Sequence, residues 1–472
     1  MNKFLLGSCA LVLFAESCNI PKINLRSENK NLPNQFSQRQ DSTNLANLNW
    51  KTYFQDSLLI RLIDTALANN QELNIVLQEI QIGNNEVQAR KGEYLPFVNL
   101  KAGTGLEKQA RYTRNGAVEE QLEIRPGRHF PEPLGDAMVG AYATWEVDVW
   151  KKLRNAKKAA VMRYLASIEG KNLLVTNLIS EIAEAYYELM ALDNLLQIVE
   201  QNIEIQRSAL NIMQQRKDAA KATQLAVNRF QAQLLNTQNR QYQIRQQITQ
   251  TENRINLLTG RYPSPILRSS NAFLSISLDD LQVGLPSELL SNRPDIRQAE
   301  LELAAAKLDV QVARANFYPS FRITAGLGFQ AFNPIFLLNP KSILFNLAGD
   351  LVAPLVNKNG IKAAYKTANA KQLQAILRYE RSILNAYLDV LNQMAKIDNA
   401  AKSYQTKAQE VEILNNSIGI ANSLFNSGRA DYGEVLLVQR EALDAKMELI
   451  EIKSRQLEAK VNIYRALGGG WK

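Results

Sequence analysis

The chain contains no proline from Trp150 to Tyr262, and none from Leu355 to its C-terminus. Through both stretches apolar residues return every seven positions. In the first, Val175, Ile182, Leu189, Leu196, Ile203 and Leu210 form one track. Leu178, Ala185, Leu192, Val199 and Met213 form its companion, interrupted at Gln206. The second stretch repeats the pattern with Ile376, Ile383, Val390, Ile397, Tyr404, Val411, Ile418 and Phe425, then returns with Leu436, Leu443, Ile450, Leu457 and Tyr464. Heptad spacing marks helices that pack side by side. It predicts long helices over 152–217 and 221–259, and over 360–425 and 430–467. The first would be ~100 Å long at ~1.5 Å per residue. Helices of that length draw their stability from packed neighbours rather than from propensity.

The two stretches belong to a larger duplication. Tyr94-Leu-Pro-Phe-Val-Asn-Leu-Lys-Ala-Gly returns as Tyr318-Pro-Ser-Phe-Arg-Ile-Thr-Ala-Gly, and Asn253-Arg-Ile-Asn-Leu-Leu-Thr-Gly returns near Val461-Asn-Ile-Tyr-Arg-Ala-Leu-Gly. Trp150-Lys-Lys-Leu-Arg-Asn-Ala-Lys-Lys is echoed by Val356-Asn-Lys-Asn-Gly-Ile-Lys. The spacing of about 210 to 225 residues is far longer than a solenoid unit. Each half reads as a helix, two strands and two long helices. The first repeat spans 56–263 and the second 287–472, with 264–286 as a linker between them.

Four segments alternate with period two. Val139, Ala141, Ala143, Trp145, Val147 and Val149 are separated by Gly140, Tyr142, Thr144, Glu146 and Asp148. Phe321, Ile323, Ala325, Leu327 and Phe329 alternate with Arg322, Thr324, Gly326, Gly328 and Gln330. Strands are expected over 95–107, 138–150, 319–332 and 343–356, the last with a weaker pattern. Each is close to the ~9–11 residues that cross a bilayer as a tilted strand. A half-buried sheet on a soluble core would alternate in the same way. Two features favour the membrane: the helices satisfy one another, leaving little apolar surface to cover a sheet, and the N-terminus carries an export signal.

That signal is Lys3 followed by the apolar run Phe4–Ala15, too short to span a bilayer as a helix. Residues 1–17 read as a signal peptide. Cys18 after Ala15-Glu16-Ser17 has the form of a lipoprotein processing site, which would make 18–55 a lipidated arm. No later segment is apolar enough to cross a membrane as a helix. Composition removes other classes. The two cysteines are Cys9 and Cys18, and His129 is the single histidine, so the body of the protein can hold no disulfide framework, no cysteine zinc site and no multi-histidine metal centre. No motif points to an enzyme or to a cofactor other than the covalent lipid. The net charge of +9 is scattered among Glu and Gln on helical faces, which does not read as a nucleic-acid footprint.

Four strands cannot close a barrel, since useful membrane barrels begin at about eight. In hydrocarbon each unpaired backbone N–H or C=O costs several kcal/mol. The open edges must therefore pair with further copies: two, three or four copies give eight, twelve or sixteen strands.

Asn292-Arg-Pro-Asp-Ile-Arg-Gln-Ala-Glu300, Ala315-Asn-Phe-Tyr-Pro-Ser320, Gly428-Arg-Ala-Asp-Tyr432 with Val435-Leu436, and Ala466-Leu-Gly-Gly-Gly-Trp471 resemble the TolC-type outer-membrane efflux channels. The similarity is to the NodT-like lipoprotein branch that serves RND pumps. The resemblance implies a mostly α protein with a small membrane β-barrel part. It would be a homotrimer with a twelve-stranded barrel continued by a coiled-coil tunnel through the periplasm. It also implies an inner-membrane RND transporter and a periplasmic adaptor as partners. Two further readings remain: an exit duct for type I protein secretion, and a coiled-coil scaffold of the envelope.

A duct works through charge and diameter. The resemblance places the gate at the turn between the second pair of long helices, where Asp431 and Glu434 would narrow the aperture. Asp431 also reads as a helix N-cap. The first turn, Gln215–Thr223, is basic, and Arg216 or Lys217 is a candidate latch that pairs with acidic residues of the neighbouring repeat. The loop around His129 and the aromatics of Phe332–Phe336 are placed at the mouth.

Overall fold

The computed structural model describes residues 20–24, 26–36, 44–276 and 283–471. The expected signal peptide and Cys18 lie outside them. The chain divides into two compact units. One is built from 1–27, 81–165 and 301–377, the other from 28–80, 166–300 and 378–472.

Seven helices carry the architecture: α1 (Ser57–Asn69), α2 (Gln71–Tyr94), α3 (Lys152–Asp218), α4 (Gln224–Leu258), α5 (Pro294–Ala315), α6 (Asn359–Asn426) and α7 (Tyr432–Ala466). The main strands are β1 (Phe97–Glu107), β2 (Leu134–Val147), β3 (Ser320–Ala331) and β4 (Ile343–Val352). No helix among the described residues is long and apolar enough to cross a membrane.

The first unit holds the sheet. Its order is β1-β2-β3-β4, antiparallel throughout, so each repeat contributes one hairpin and the β2–β3 pair joins the repeats. The register puts Leu100, Ala141, Leu327 and Phe345 in one row across the sheet. Lys101, Gly140, Gly328 and Leu344 make the next row, and Asn99, Tyr142, Gly326 and Asn346 another. Because side chains alternate along a strand, the first row lies on the apolar face and the others on the opposite face. Gly140 and Gly328 meet backbone to backbone: a Cβ on Gly328 would stand 2.6 Å from the Gly140 Cα.

Strand β2 starts at Leu134, four residues before the expected 138, because β1 continues to Glu107 and pairs it there. It stops at Val147, before the expected 150. The Asp148 carboxylate accepts the amides of Leu153 (3.1 Å) and Arg154 (2.9 Å), starting helix α3. Strand β4 ends at Val352 rather than 356, with Pro354 just beyond. Both repeats pass from strand to long helix through a residue of positive φ, Lys151 (59°) and Asn357 (54°). In the same unit Phe317, Val310, Ala313 and Tyr365 form a small core on which Ile20 and Ile23 pack.

The second unit is helical. Its core joins Leu59, Ile63 and Ala66 of α1 to Ile179, Ile182, Tyr186 and Leu189 of α3, and to Ile450, Leu457, Val461 and Tyr464 of α7. Tyr464 stacks on Tyr53 at 4.1 Å and donates to the Leu48 carbonyl at 2.7 Å. Gln206, the break in the heptad track, is buried. In α6 the track is buried at Ile376, Ile383 and Val390, then half-buried from Ile397 to Phe425.

Candidate functional site

The two helical turns share one backbone design. In the first, the Lys221 amide donates to the Arg216 carbonyl (2.7 Å) and the Ala220 amide to Lys217 (2.8 Å). In the second, the Arg429 amide donates to Leu424 (2.9 Å) and the Gly428 amide to Phe425 (3.1 Å). These paired bonds close a helix C-terminus around a left-handed residue. That residue is Gly428 (φ 72°) in the second repeat and Ala220 (φ 58°) in the first. Glycine takes this conformation without strain, and alanine does not.

Each return helix is capped by a side chain. Thr223 accepts the Ala226 amide at 3.2 Å, which starts α4 at Gln224 rather than at the expected 221. Asp431 accepts the Gly433 amide at 3.3 Å, which starts α7 at Tyr432 rather than 430. Asp431 is therefore an N-cap, and Glu434 sits in the first turn of the same helix. Both are exposed. Acidic groups suit this end of a helix, where the dipole is positive.

Arg216 reaches the other repeat. Its guanidinium donates to Asn426 Oδ1 at 2.9 Å and lies 4.5 Å from the centre of the Phe425 ring. The sequence pointed to acidic partners; the partners found are an amide and a ring. Lys217, one residue on, is exposed. Below the turns, Met213, Ala226, Val227 and Phe230 make a local core with Phe425, Tyr432 and Leu436 packed on it, so the hairpins meet through apolar contacts.

The sheet supplies the second candidate surface. Its apolar face is open, with Leu100 80% exposed, Leu327 63% and Phe345 81%. On the opposite face the register aligns Glu146, Arg322 and Asp350 in one row. Trp150 stacks on Tyr318 at 4.6 Å beside a groove of 460 Å³ at the ends of the strands. The loop between β1 and β2 includes a small hairpin, Glu123–Arg125 with Arg128–His129. Its Arg125 guanidinium sits 3.8 Å from the centre of the Phe336 ring and 5.4 Å from that of Phe332. The sequence located these aromatics at a loop; it gave no sign of the arginine that binds them.

In the sequence Arg293-Pro294-Asp295 has the pattern of a helix start, with proline at a first helical position and an acidic residue beside the positive helix end. Pro294 is indeed the first residue of α5. Arg293 itself is buried, bound by both oxygens of Asp295 (3.0 and 2.7 Å) and by the Ala466 carbonyl (2.9 Å). The signal for it, a charged residue just before a helix-starting proline, carries no information about burial.

The sheet leaves one apolar face open, and the two longest helices, α3 and α6, run to 67 and 68 residues. The chain belongs to the outer membrane efflux protein family, whose model matches residues 62–261 and 285–469. It is 26% identical over 471 residues to the solvent efflux pump outer membrane protein SrpC of Pseudomonas putida, spanning 99% of this chain and 96% of SrpC. It is 24% identical over 445 residues to the probable outer membrane lipoprotein SilC of Salmonella typhimurium, covering 93% of each. The open state of the Neisseria gonorrhoeae MtrE outer membrane channel has the same fold, with a TM-score of 0.82, 22% identity and coverage of 96% and 98%. The protein is an outer-membrane efflux protein of the TolC-like kind, which favours the efflux reading over type I secretion and over an envelope scaffold.

Proposed function

We propose that the chain is the exit duct of a tripartite pump, passively conducting small molecules from an inner-membrane RND transporter and a periplasmic adaptor to the exterior. Three copies would close a twelve-stranded barrel, and their long helices would line a periplasmic tunnel. The observation that carries this reading is the four-stranded sheet, whose outer strands β1 and β4 leave two edges and one exposed apolar face. In lipid the edges need partners, because each unpaired polar group costs several kcal/mol. The apolar face then meets lipid, and the face bearing Lys101, Glu146 and Arg322 lines the lumen. Exposed Ile205, Ile212, Ile413 and Ile420 on the long helices give neighbouring copies an apolar surface to cover.

Cys18 is proposed as the lipidated first residue of the mature chain, in keeping with SilC, a probable outer membrane lipoprotein. Asp431 and Glu434 are proposed as the periplasmic gate, six carboxylates around one axis in a trimer, and Arg216 with Lys217 as its latch. Seven methionines without a cluster favour organic solutes over soft metal ions as cargo. The test is the mass of the protein extracted from outer membranes in detergent, with identification of what co-purifies. Three chains with a transporter and an adaptor are expected. A water-soluble single chain would overturn the duct.

A further inference from the structure

The polar face of the sheet carries its charges in tiers. Near the β1–β2 loop it bears Glu107 and, in the row of Gly105, Asp136. At the other end of the strands Glu146, Arg322 and Asp350 share one row, where Arg322 stands between the two carboxylates. Glu146 is also paired with Lys152. Between these tiers, among the described residues, Lys101 is the one charged residue on the face. Its row lies four residues from that of Asp136 (101 to 105 on β1) and six from that of Glu146 (140 to 146 on β2). At ~3.3 Å per residue these are ~13 and ~20 Å along the strands. Both exceed the ~8 Å Debye length of physiological salt, so neither tier neutralises the Lys101 ammonium.

Glycine and an aromatic ring stand beside Lys101. Gly140 and Gly328 follow it across the sheet, so the two central strands put no side chain in its row. The adjacent row holds Asn99, Tyr142, Gly326 and Asn346. A Cβ on Gly326 would stand 3.0 Å from two atoms of the Tyr142 ring and 2.2 Å from Asn346 Oδ1. The ring and the amide therefore both lie over the bare glycine. The Lys101 Nζ is 6.0 Å from the centre of the ring, at the outer limit of a cation–ring contact. Among the described residues Lys101 makes no ion pair. Its ammonium is held beside an aromatic plate and can turn to an incoming anion.

We infer that Lys101 is the charge-selecting residue of the barrel lumen and that, with Tyr142, it forms a station for aromatic organic anions. The inference rests on the trimeric duct reading, in which three copies of the station face one axis. A ring of like charges on a pore wall attracts the opposite charge and repels its own. The anionic group of a solute meets the ammonium, and its flat body stacks on Tyr142, with the Asn99 and Asn346 amides at its edge. In the duct reading the tier of Glu107 and Asp136 lies toward the mouth, so anions outside meet repulsion before they reach the station.

The test is the current through the purified full-length protein in planar lipid bilayers under a KCl gradient, where the reversal potential gives the ratio of potassium to chloride permeability. Lys101→Gln should raise that ratio at least about twofold, Lys101→Glu should raise it further, and Lys101→Arg should keep it. Lys51→Gln, which removes a positive charge away from the sheet, should leave it unchanged. Pyrenetetrasulfonate, a flat aromatic anion, should block the wild-type channel, and less so as KCl is raised. Lys101→Gln and Tyr142→Leu should each weaken the block roughly threefold, the second without moving the reversal potential. A permeability ratio that ignores Lys101, or a block untouched in both variants, overturns the station and leaves the duct intact. A wild-type protein that forms no channel overturns the duct, and the station with it. If the Lys101 variants do not assemble, the wild type decides: a salt-sensitive block supports the station, and full conductance in pyrenetetrasulfonate refutes it.

Discussion

The two hairpin turns have the same hydrogen-bonded frame and opposite chemistry. The second uses glycine at the left-handed position, an aspartate cap and a glutamate in the next turn. The first uses alanine at that position, a threonine cap and basic neighbours, Arg216, Lys217 and Lys221. Duplication preserved the geometry while the side chains diverged, and Arg216 now spans from one turn to the other. The frame belongs to the backbone. Whatever distinguishes the repeats at this end must come from the side chains.

The comparison can be broken at four points. Gly428→Ala should have the largest effect on the turn, costing about 1–2 kcal/mol for a left-handed alanine. Hydrogen exchange of the Gly428 and Arg429 amides should accelerate roughly tenfold, since ~1.4 kcal/mol is a factor of ten. Asp431→Ala removes the cap and should cost about 1 kcal/mol, read from faster exchange at Gly433. The same variant should raise single-channel conductance or leak if Asp431 also narrows a gate, and unchanged conductance and ion selectivity would count against the gate. Arg216→Ala deletes a cation–ring contact worth about 0.5–1 kcal/mol at an exposed site. It should loosen both turns together, and exchange that changes only around 216 would mean that the repeats are not coupled there. Ala220→Gly should have the smallest effect, a gain below about 1 kcal/mol, because relief of left-handed strain is offset by the greater freedom of glycine in the unfolded chain.

Much of the fold was legible before any coordinates. Heptads revealed the long helices because a buried stripe has a period that residue type alone records, and Ile182, Leu189 and Val199 are buried as that stripe requires. Alternation located the strands because the pleat has period two. The ends were less legible. Leu134 joins β2 because its partner Glu107 is there to pair it, and Asp148 ends the exit from the strand by reaching two amides of the next helix. In the candidate site the position of the turns was readable from Gly428, and the acidic and basic characters from the residues themselves. The partner of Arg216 was not, because Asn426 and Phe425 lie about 210 residues away and no periodicity links them. Ala220 offered no turn signal at all, yet the duplicated frame imposes the left-handed conformation on it.

By itself the sequence determined which residues form helices, which form strands, which face of each is apolar, and that the chain is written twice. These are local properties, set by side-chain spacing against the helical and pleated periods. The tertiary structure decided what distant residues do to one another. It joined the two hairpins into one sheet through β2 and β3, buried Arg293 against Asp295 and Ala466, and laid Arg125 on Phe336. Such pairings depend on where the backbone carries each side chain, and a one-residue change in register or a quarter turn of a helix would remove them while leaving the pattern of residue types intact.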